Sequence, residues 1–161
     1  MTKKNDDSLR GKADIYRTRS IELRRWGRLQ DNERELVEMI QSLDTKYENI
    51  FIIVEGKRDV LVLRNLGVKA PIIKTQSRLT RYDMVEKIVS DAGEKGQVLI
   101  LTDYDKEGKD ICSFIEKELE TRGVKVLKRE RRMIRKLMGH WRCIEELVSL
   151  FKRKDSPEAS R

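Results

Sequence analysis

The sequence predicts an α/β fold built on a parallel sheet of about four strands, flanked by helices and extended by further helices at both ends. Two continuous apolar runs, Ile50–Val54 and residues 98–102, have the composition of strands buried on both faces, as in parallel sheets. Segments with helical periodicity alternate with these runs and are joined by short connections. This alternation favours right-handed crossovers between parallel strands.

The elements of the first half follow from local signals. A helix is predicted from about Ala13, and a second is predicted after Asp31, which could cap it. The first buried strand comes next, and a helix over residues 60–66 ends at Gly67. Residues 68–74 are predicted as a strand, and Pro71, which cannot donate a ladder hydrogen bond, indicates either an edge strand or an irregular position. The second helix has four apolar residues at helical spacing: Leu36, Val37, Ile40 and Leu43.

The second half continues the alternation. Thr80 and Asp83 form a capping signal for a helix that Gly93 closes. The second buried strand, a helix over about 111–119 and a short strand over 124–127 follow. A tail helix, which Gly139 could divide, has one apolar stripe. Its members are Ile134, Leu137, Trp141, Ile144, Val148 and Phe151. The predicted division is a helical extension over 1–48, an α/β domain over 49–128 and a basic helical extension over 129–161.

Composition excludes several classes of protein. No run approaches the ~20 apolar residues of a membrane-spanning helix, and the polar start is not a secretory signal. Two cysteines and one histidine make neither a disulfide scaffold nor a zinc site, so we expect a cytoplasmic protein with reduced thiols. The net charge is +8, and residues 129–161 contribute +5 of it. A polyanionic partner is therefore favoured.

Acidic residues follow both buried strands. Glu55 ends the first strand, and Asp103, Asp105 and Glu107 follow the second. Parallel strands end at the same edge of a sheet, where open α/β sheets bind ligands. Four converging carboxylates would repel one another unless a cation joined them, and Mg²⁺ prefers such oxygen ligands. The sequence therefore predicts a magnesium site, with Mn²⁺ as an alternative ion.

Gly56 and Gly108 would allow a close backbone approach beside this site, and the helix N-termini that follow each motif would attract a phosphate. Basic residues near the motifs and in the tail are predicted to contact nucleic acid: Lys57, Arg58, Lys106, Arg131, Arg132 and Arg135.

Glu55-Gly56 at one strand end and Asp-x-Asp-x-x-Gly at another, about 50 residues later, resemble the Toprim (topoisomerase–primase) domain. The resemblance covers about half of the chain. It implies a three-layer, Rossmann-like fold with a four-stranded parallel sheet. It also implies that Glu55 acts as a general acid or base and that Asp103 and Asp105 bind Mg²⁺, while Glu107 matches a position that is acidic in type IA topoisomerases.

The chain lacks other parts of the larger relatives. A topoisomerase needs a tyrosine nucleophile on a separate domain, and a primase carries further domains. Tyr104 lies inside the metal motif and is interpreted as a packing residue. A small stand-alone Toprim protein is therefore expected, resembling nuclease members such as the ribonuclease that matures 5S ribosomal RNA.

Three functions are compatible with these motifs. The first is Mg²⁺-dependent hydrolysis of phosphodiesters in RNA or DNA, with Glu55, Asp103 and Asp105 as catalytic residues. The second is a metal-containing module that binds nucleic acid or a ribonucleoprotein without turnover, and the third is chemistry on a small phosphoester. Structural roles are open too: Glu107 could interact only with a helix dipole, and Asp59 is expected to cap a helix.

Overall fold

A computed structural model describes residues 31–149 of the protein. The predicted helix from Ala13 and the end of the tail stripe at Phe151 lie outside the described residues. No helix between residues 31 and 149 has both the length and the apolar character needed to cross a bilayer.

Helices and strands alternate along this part of the chain. The first half contains α1 (Asp31–Gln41), α2 (Leu43–Lys46), β1 (Ile50–Val54), α3 (Lys57–Asn65), β2 (Ile72–Lys74) and α4 (Arg81–Ala92). The second half contains β3 (Gln97–Ile100), α5 (Lys106–Thr121), β4 (Lys125–Val126), α6 (Lys128–Met138) and a 3₁₀ helix (Ile144–Leu147).

The four strands form one parallel sheet in the order β2-β1-β3-β4. The two apolar strands therefore lie at the centre, where β1 pairs with β3 and Ile53 lies opposite Ile100. β2 is an edge strand, one of the two alternatives indicated by Pro71, whose carbonyl accepts a hydrogen bond from Ile52 N–H at 3.0 Å. The predicted parallel α/β fold is confirmed.

Side chains of the central strands alternate between two hydrophobic cores. In β1, Ile52 and Val54 face one core, whereas Ile53 faces the other. In β3, Leu99 belongs to the first core and Ile100 to the second. Helices cover both faces, so the positions on these strands are buried, apart from the half-buried Phe51 and Gln97. This double burial explains why their sequences are continuously apolar instead of alternating.

The first core extends well beyond the sheet and its crossover helices. It includes Leu36 and Ile40 from α1, Ile134 from α6, Trp141, and Leu147 from the 3₁₀ helix. α1 packs against α6, and the 3₁₀ helix packs against α3. The described parts of the two predicted extensions, residues 31–48 and 129–149, thus share one hydrophobic core with the sheet.

Several predicted boundaries differ from the observed ones. The strands predicted over 98–102 and 124–127 are observed at Gln97–Ile100 and Lys125–Val126, and the helix predicted over about 111–119 spans Lys106–Thr121. Two further differences, at α3 and β2, have a clear local cause. α3 begins at Lys57, before the predicted residue 60, because Asp59 Oδ2 accepts a hydrogen bond from Gly56 N–H at 3.0 Å and so caps the first turn. The strand predicted over 68–74 is limited to Ile72–Lys74. Val68 N–H instead bonds Leu63 O at 3.0 Å, which closes the end of α3.

The tail stripe is interrupted at Gly139, where the sequence indicated a break. Gly139 adopts φ +65°, a left-handed conformation that favours glycine, and it ends α6. The chain then turns through Trp141 into the 3₁₀ helix. Apolar residues on both sides of the break still reach the same core.

If α1 belongs to this common core, Ile40→Ala will destabilise the whole fold. Ile40 is fully buried, and truncating such a residue costs about 2–5 kcal/mol in the free energy of unfolding. Chemical denaturation would measure the change. The exposed neighbour Glu38→Ala is the control and should stay within about 0.5 kcal/mol of the wild type. Equal stability of the Ile40 variant and the wild type would contradict the shared core.

Candidate metal centre

Three carboxylates converge where the two central strands end. Glu55 directly follows β1, while Asp103 and Asp105 follow β3. One carboxylate oxygen from each residue lies within 4.8 Å of the others. Neighbouring parallel strands end at the same edge of the sheet, so residues 48 and 50 positions apart in sequence meet here.

A hydrogen bond joins the two strand ends. The backbone N–H of Asp103 donates to Glu55 Oε2 at 2.9 Å. Just before it, Leu101 N–H donates to Ile53 O at 2.7 Å, which continues the β1–β3 pairing beyond the strands. The Glu55 side chain is therefore held at a fixed position relative to the aspartates.

The spacing of the Asp-x-Asp-x-x-Gly motif has a local structural reason. Asp105 is the N-cap of α5, and its Oδ1 accepts a hydrogen bond from Gly108 N–H at 2.7 Å. Thr102 Oγ1 donates to Gly108 O at 2.9 Å. A Cβ atom at residue 108 would lie 2.1 Å from the carbonyl oxygen of Asp103, so only glycine fits. The motif thus determines the conformation of the loop and the orientation of its carboxylates.

Arg131 of α6 binds the backbone of this loop from the protein interior. Its Nη1 donates to the carbonyls of Ile100 at 2.9 Å and Thr102 at 3.0 Å, and its Nη2 donates to that of Asp103 at 3.3 Å. Its guanidinium lies 4.2 Å from the ring centre of Tyr104, whose hydroxyl donates to the Arg131 carbonyl at 3.0 Å. Tyr104 is thus a buried packing residue, as predicted.

Burial and the negative charges of neighbouring carboxylates disfavour the ionised forms of Glu55 and Asp103. Burial raises the pKa of Asp103 to about 7, and the negative charge of Glu55 adds to the shift. Burial also raises the pKa of Glu55, although the hydrogen bond from Asp103 N–H opposes the change. A bound cation would lower both pKa values, because it favours the ionised carboxylates.

The three residues fit a divalent ion of the Mg²⁺ type. All the donors are carboxylate oxygens, the ligands that a hard cation prefers. Two oxygens bound to one Mg²⁺ are at most about 4.2 Å apart, since each lies about 2.1 Å from the ion. The observed separations of up to 4.8 Å would need only small rotations of the side chains.

Glu107 and Asp59 lie beside the cluster. Glu107 is exposed in the first turn of α5, and it is not one of the three residues whose oxygens converge. Its charge contributes to the raised pKa of Glu55. Asp59 is buried, but the N-cap of α3 is Gly56, whereas the sequence had indicated Asp59. Asp59 is the third residue of the helix, and its carboxylate accepts a hydrogen bond from Gly56 N–H.

The predicted nucleic-acid contacts have different surroundings. Lys57 and Lys106 are exposed first residues of α3 and α5, next to the carboxylates. Arg58 is also exposed and pairs with Glu145 at 3.1 Å. In α6, Arg132 is exposed, and Arg135 is half-buried and donates to the Gly139 carbonyl at 2.8 Å.

The prediction for Arg131 does not agree with its position. Only 8% of this residue is exposed, and backbone carbonyls occupy its guanidinium. Arg131 therefore stabilises the backbone of the loop from the protein interior, and its guanidinium is not exposed for contact with nucleic acid. The sequence did contain a signal, because Arg131 shares the buried face of α6 with Ile134 and Met138.

Gln76 is a neighbour of the site that the sequence analysis missed. Its side chain lies over Gly56, where a Cβ atom would be only 2.8 Å from Gln76 Oε1. Its backbone N–H donates to Glu55 O at 2.9 Å. No spacing rule connects residues 56 and 76, so this contact has no sequence signature.

Comparison with known proteins agrees with this geometry. A sequence profile described as the Toprim domain matches residues 49–128, the segment that carries all three carboxylates. The chain belongs to the Toprim family. This Toprim protein is 35% identical over 122 residues to a UPF0292 protein of Thermococcus onnurineus, covering 75% of this chain and 86% of that one. It is 42% identical over 105 residues to a UPF0292 protein of Pyrococcus horikoshii, covering 63% and 74% of the two chains.

A solved structure of a protein from Aquifex aeolicus is also similar. It superimposes with a TM-score of 0.58 at 27% sequence identity, covering 70% of this chain and 98% of that chain. The Toprim family membership and the four-stranded parallel sheet confirm the resemblance inferred from the two acidic motifs.

Arg131→Met should loosen the centre as well as destabilise the fold. Buried carbonyls would lose their donors, so the free energy of unfolding should fall by more than about 2 kcal/mol. The stabilisation by Mg²⁺, measured as the shift in melting temperature, should also shrink. Arg132→Met is the matched control, because that neighbour is exposed. Equal behaviour of the two variants would contradict the bracing role of Arg131.

The stability of the metal-free protein should depend on Asp103 in a defined pH window. Its pKa is about 7 when folded against an ordinary value of 3.8, so between these values the folded state binds more protons than the unfolded state. Stability therefore falls as the pH rises from about 4 to about 7. Asp103→Asn should reduce this fall and be more stable than the wild type at pH 7. Denaturation at a series of pH values measures both, and parallel curves for the two proteins would contradict the shift.

Proposed function

We propose that this Toprim protein is a Mg²⁺-dependent phosphodiesterase that cleaves RNA or DNA. The convergence of Glu55, Asp103 and Asp105 at the edge of the sheet supports the proposal, because it combines a set of metal ligands with a candidate acid or base. Membership of the Toprim family supports a metal-dependent function related to nucleic acid. The net charge of +8 suits a polyanionic substrate.

In the proposed mechanism, Asp103 and Asp105 would be the protein ligands that hold the metal. A bound Mg²⁺ would polarise the phosphodiester and lower the pKa of an attacking water. The Asp105 cap and the Arg131 brace keep these carboxylates close together before any ion binds. The chain therefore supplies a preorganised site, which reduces the reorganisation that binding and catalysis require.

Glu55 is the proposed general acid or base. Its raised pKa brings it closer to the neutral range, where a proton-transfer group is most effective. One oxygen, Oε2, accepts the Asp103 N–H, and this contact orients the carboxyl group. Glu55 also lines an open cavity beside the centre, so a substrate could reach it.

Basic residues around the edge of the sheet are proposed to bind backbone phosphates. Lys57 and Lys106 each begin a helix, where the helix dipole adds to their positive charge. Arg132 and Arg135 of α6 are proposed as further phosphate contacts, and the guanidinium of Arg135 lies 5.6 Å from the ring centre of Tyr104, the residue between the two aspartates of the motif. Arg58 is proposed to exchange its exposed pairing with Glu145 for a phosphate, because exposed ion pairs contribute little to stability.

The double variant Asp103→Asn/Asp105→Asn should lose Mg²⁺-dependent cleavage while remaining folded. The substitution removes two ionised metal ligands and relieves repulsion within the cluster. The matched control is Asp91→Asn/Glu94→Gln, which removes the same charge from exposed positions at the end of α4. Cleavage of a panel of single- and double-stranded RNA and DNA would be followed on gels in Mg²⁺ and in Mn²⁺.

Two results would contradict this assignment. Cleavage that persists in the double variant would exclude the proposed active centre. Binding of nucleic acid by the wild type without cleavage of any substrate, in either metal, would instead favour a non-catalytic binding module. The centre would then have a structural role.

A further inference from the structure

A cavity of about 190 Å³ opens directly beside the metal centre. It lies between α4, α5 and the loop of residues 75–80, and it shares Glu55 and Glu107 with the surroundings of the carboxylate cluster. The loop is tied to the end of β1, because Thr75 N–H donates to Val54 O at 2.8 Å and Gln76 N–H donates to Glu55 O at 2.9 Å. The cavity is therefore a fixed part of the site.

The cavity has an apolar interior and polar edges. Met84 and Ile115 are buried lining residues, while Leu79 is 43% exposed. Phe114 adds an aromatic ring, and the Arg81 guanidinium lies 5.6 Å from the centre of that ring. The loop contributes three polar residues to the lining, of which Thr80 also accepts the capping hydrogen bond from Asp83 N–H at 3.1 Å: Thr75, Gln76 and Thr80.

The charge around the cavity selects against an anion. Three charged residues line the cavity: Glu55, Glu107 and Arg81. The net charge of the lining is therefore negative when both carboxyl groups are ionised. A phosphate would be repelled here unless a metal intervened. A neutral, flat group with hydrogen-bonding edges suits the lining better, because the two carboxylates can accept hydrogen bonds from amino or imino groups.

The size of the cavity matches one ring. An engineered apolar cavity of about 150 Å³ binds benzene. A cavity of 190 Å³ therefore has room for a six-membered ring with substituents. A ring in the cavity would gain dispersion energy from Phe114 and the apolar lining, and the polar residues of the loop could contact its edge.

We propose that this cavity binds one unpaired nucleobase next to the phosphate at the metal centre. The inference rests on the proposed function and narrows its substrate class to a nucleotide that is single-stranded or turned out of a helix. A base inside a duplex cannot enter, because its edge is paired and its faces are stacked. Because Glu55 belongs both to the cavity and to the carboxylate cluster, a base in the cavity and a phosphate at the metal centre would be close enough to belong to one nucleotide chain.

The experiment measures binding of dye-labelled tetranucleotides by fluorescence anisotropy in Ca²⁺, another divalent ion that binds oxygen ligands. Each base is replaced in turn by an abasic sugar. The proteins are the wild type, Leu79→Ser in the cavity, and Leu61→Ser as the matched control. Leu61 is also an exposed leucine, at 54%, but it lies on α3 away from the cavity. The shift in melting temperature with Mg²⁺ reports on the metal centre in each protein.

We expect one abasic position to weaken binding to the wild type about tenfold, within the range for loss of one stacked base. Leu79→Ser should weaken binding of the intact tetranucleotide and should be less sensitive to the abasic sugar at that position. Leu61→Ser should behave like the wild type, and all three proteins should respond equally to Mg²⁺.

The outcomes separate this inference from the function on which it rests. If the wild type binds every abasic ligand as tightly as the intact one, or if the two leucine variants are equivalent, the cavity is not a base site, although the phosphodiesterase proposal stands. The cavity would then suit another occupant, such as an apolar side chain of a protein partner. If the wild type binds no single- or double-stranded RNA or DNA, both proposals fail.

Discussion

The candidate metal centre depends on the parallel pairing of β1 with β3. This pairing sets Ile53 opposite Ile100, and the next hydrogen bonds bring Asp103 N–H to the Glu55 carboxylate. A slip of one residue would reverse the facing of every side chain on the moved strand. Burial of both strand faces resists such a slip, so the hydrophobic cores fix the relative positions of the carboxylates.

The loop that carries Asp103 and Asp105 is held in place without neutralisation of its carboxylates. Arg131 is the buried cation nearest to the loop backbone among residues 31–149, yet its hydrogen bonds go to main-chain carbonyls and not to the carboxylates. The pKa of Asp103 accordingly remains high. The fold thus tolerates local electrostatic repulsion at this edge, and a divalent ion would convert that repulsion into binding energy.

The sequence predicted the features that arise from short-range patterns. Apolar runs such as Ile50–Val54 indicate double burial, and the motifs around Glu55 and Asp103 occupy strand ends that parallel pairing must bring together. Other features depend on contacts between distant segments. The packing of α1 and the position of Gln76 over Gly56 have no fixed spacing, so only the folded chain shows them. Arg131 is intermediate, since an arginine on an apolar helix face could have indicated burial.

The location of Arg131 has a consequence for fragments and chimeras of this protein. The profile match ends at residue 128. Arg131, which binds the backbone of the loop that carries Asp103, lies three positions later, on a helix that also packs against α1. A fragment limited to the matched segment would keep all three carboxylates of the candidate centre but would lose the arginine that supports their loop. The smallest autonomous form of this site is therefore larger than its family signature, and transplanting the motif alone would give a less ordered centre.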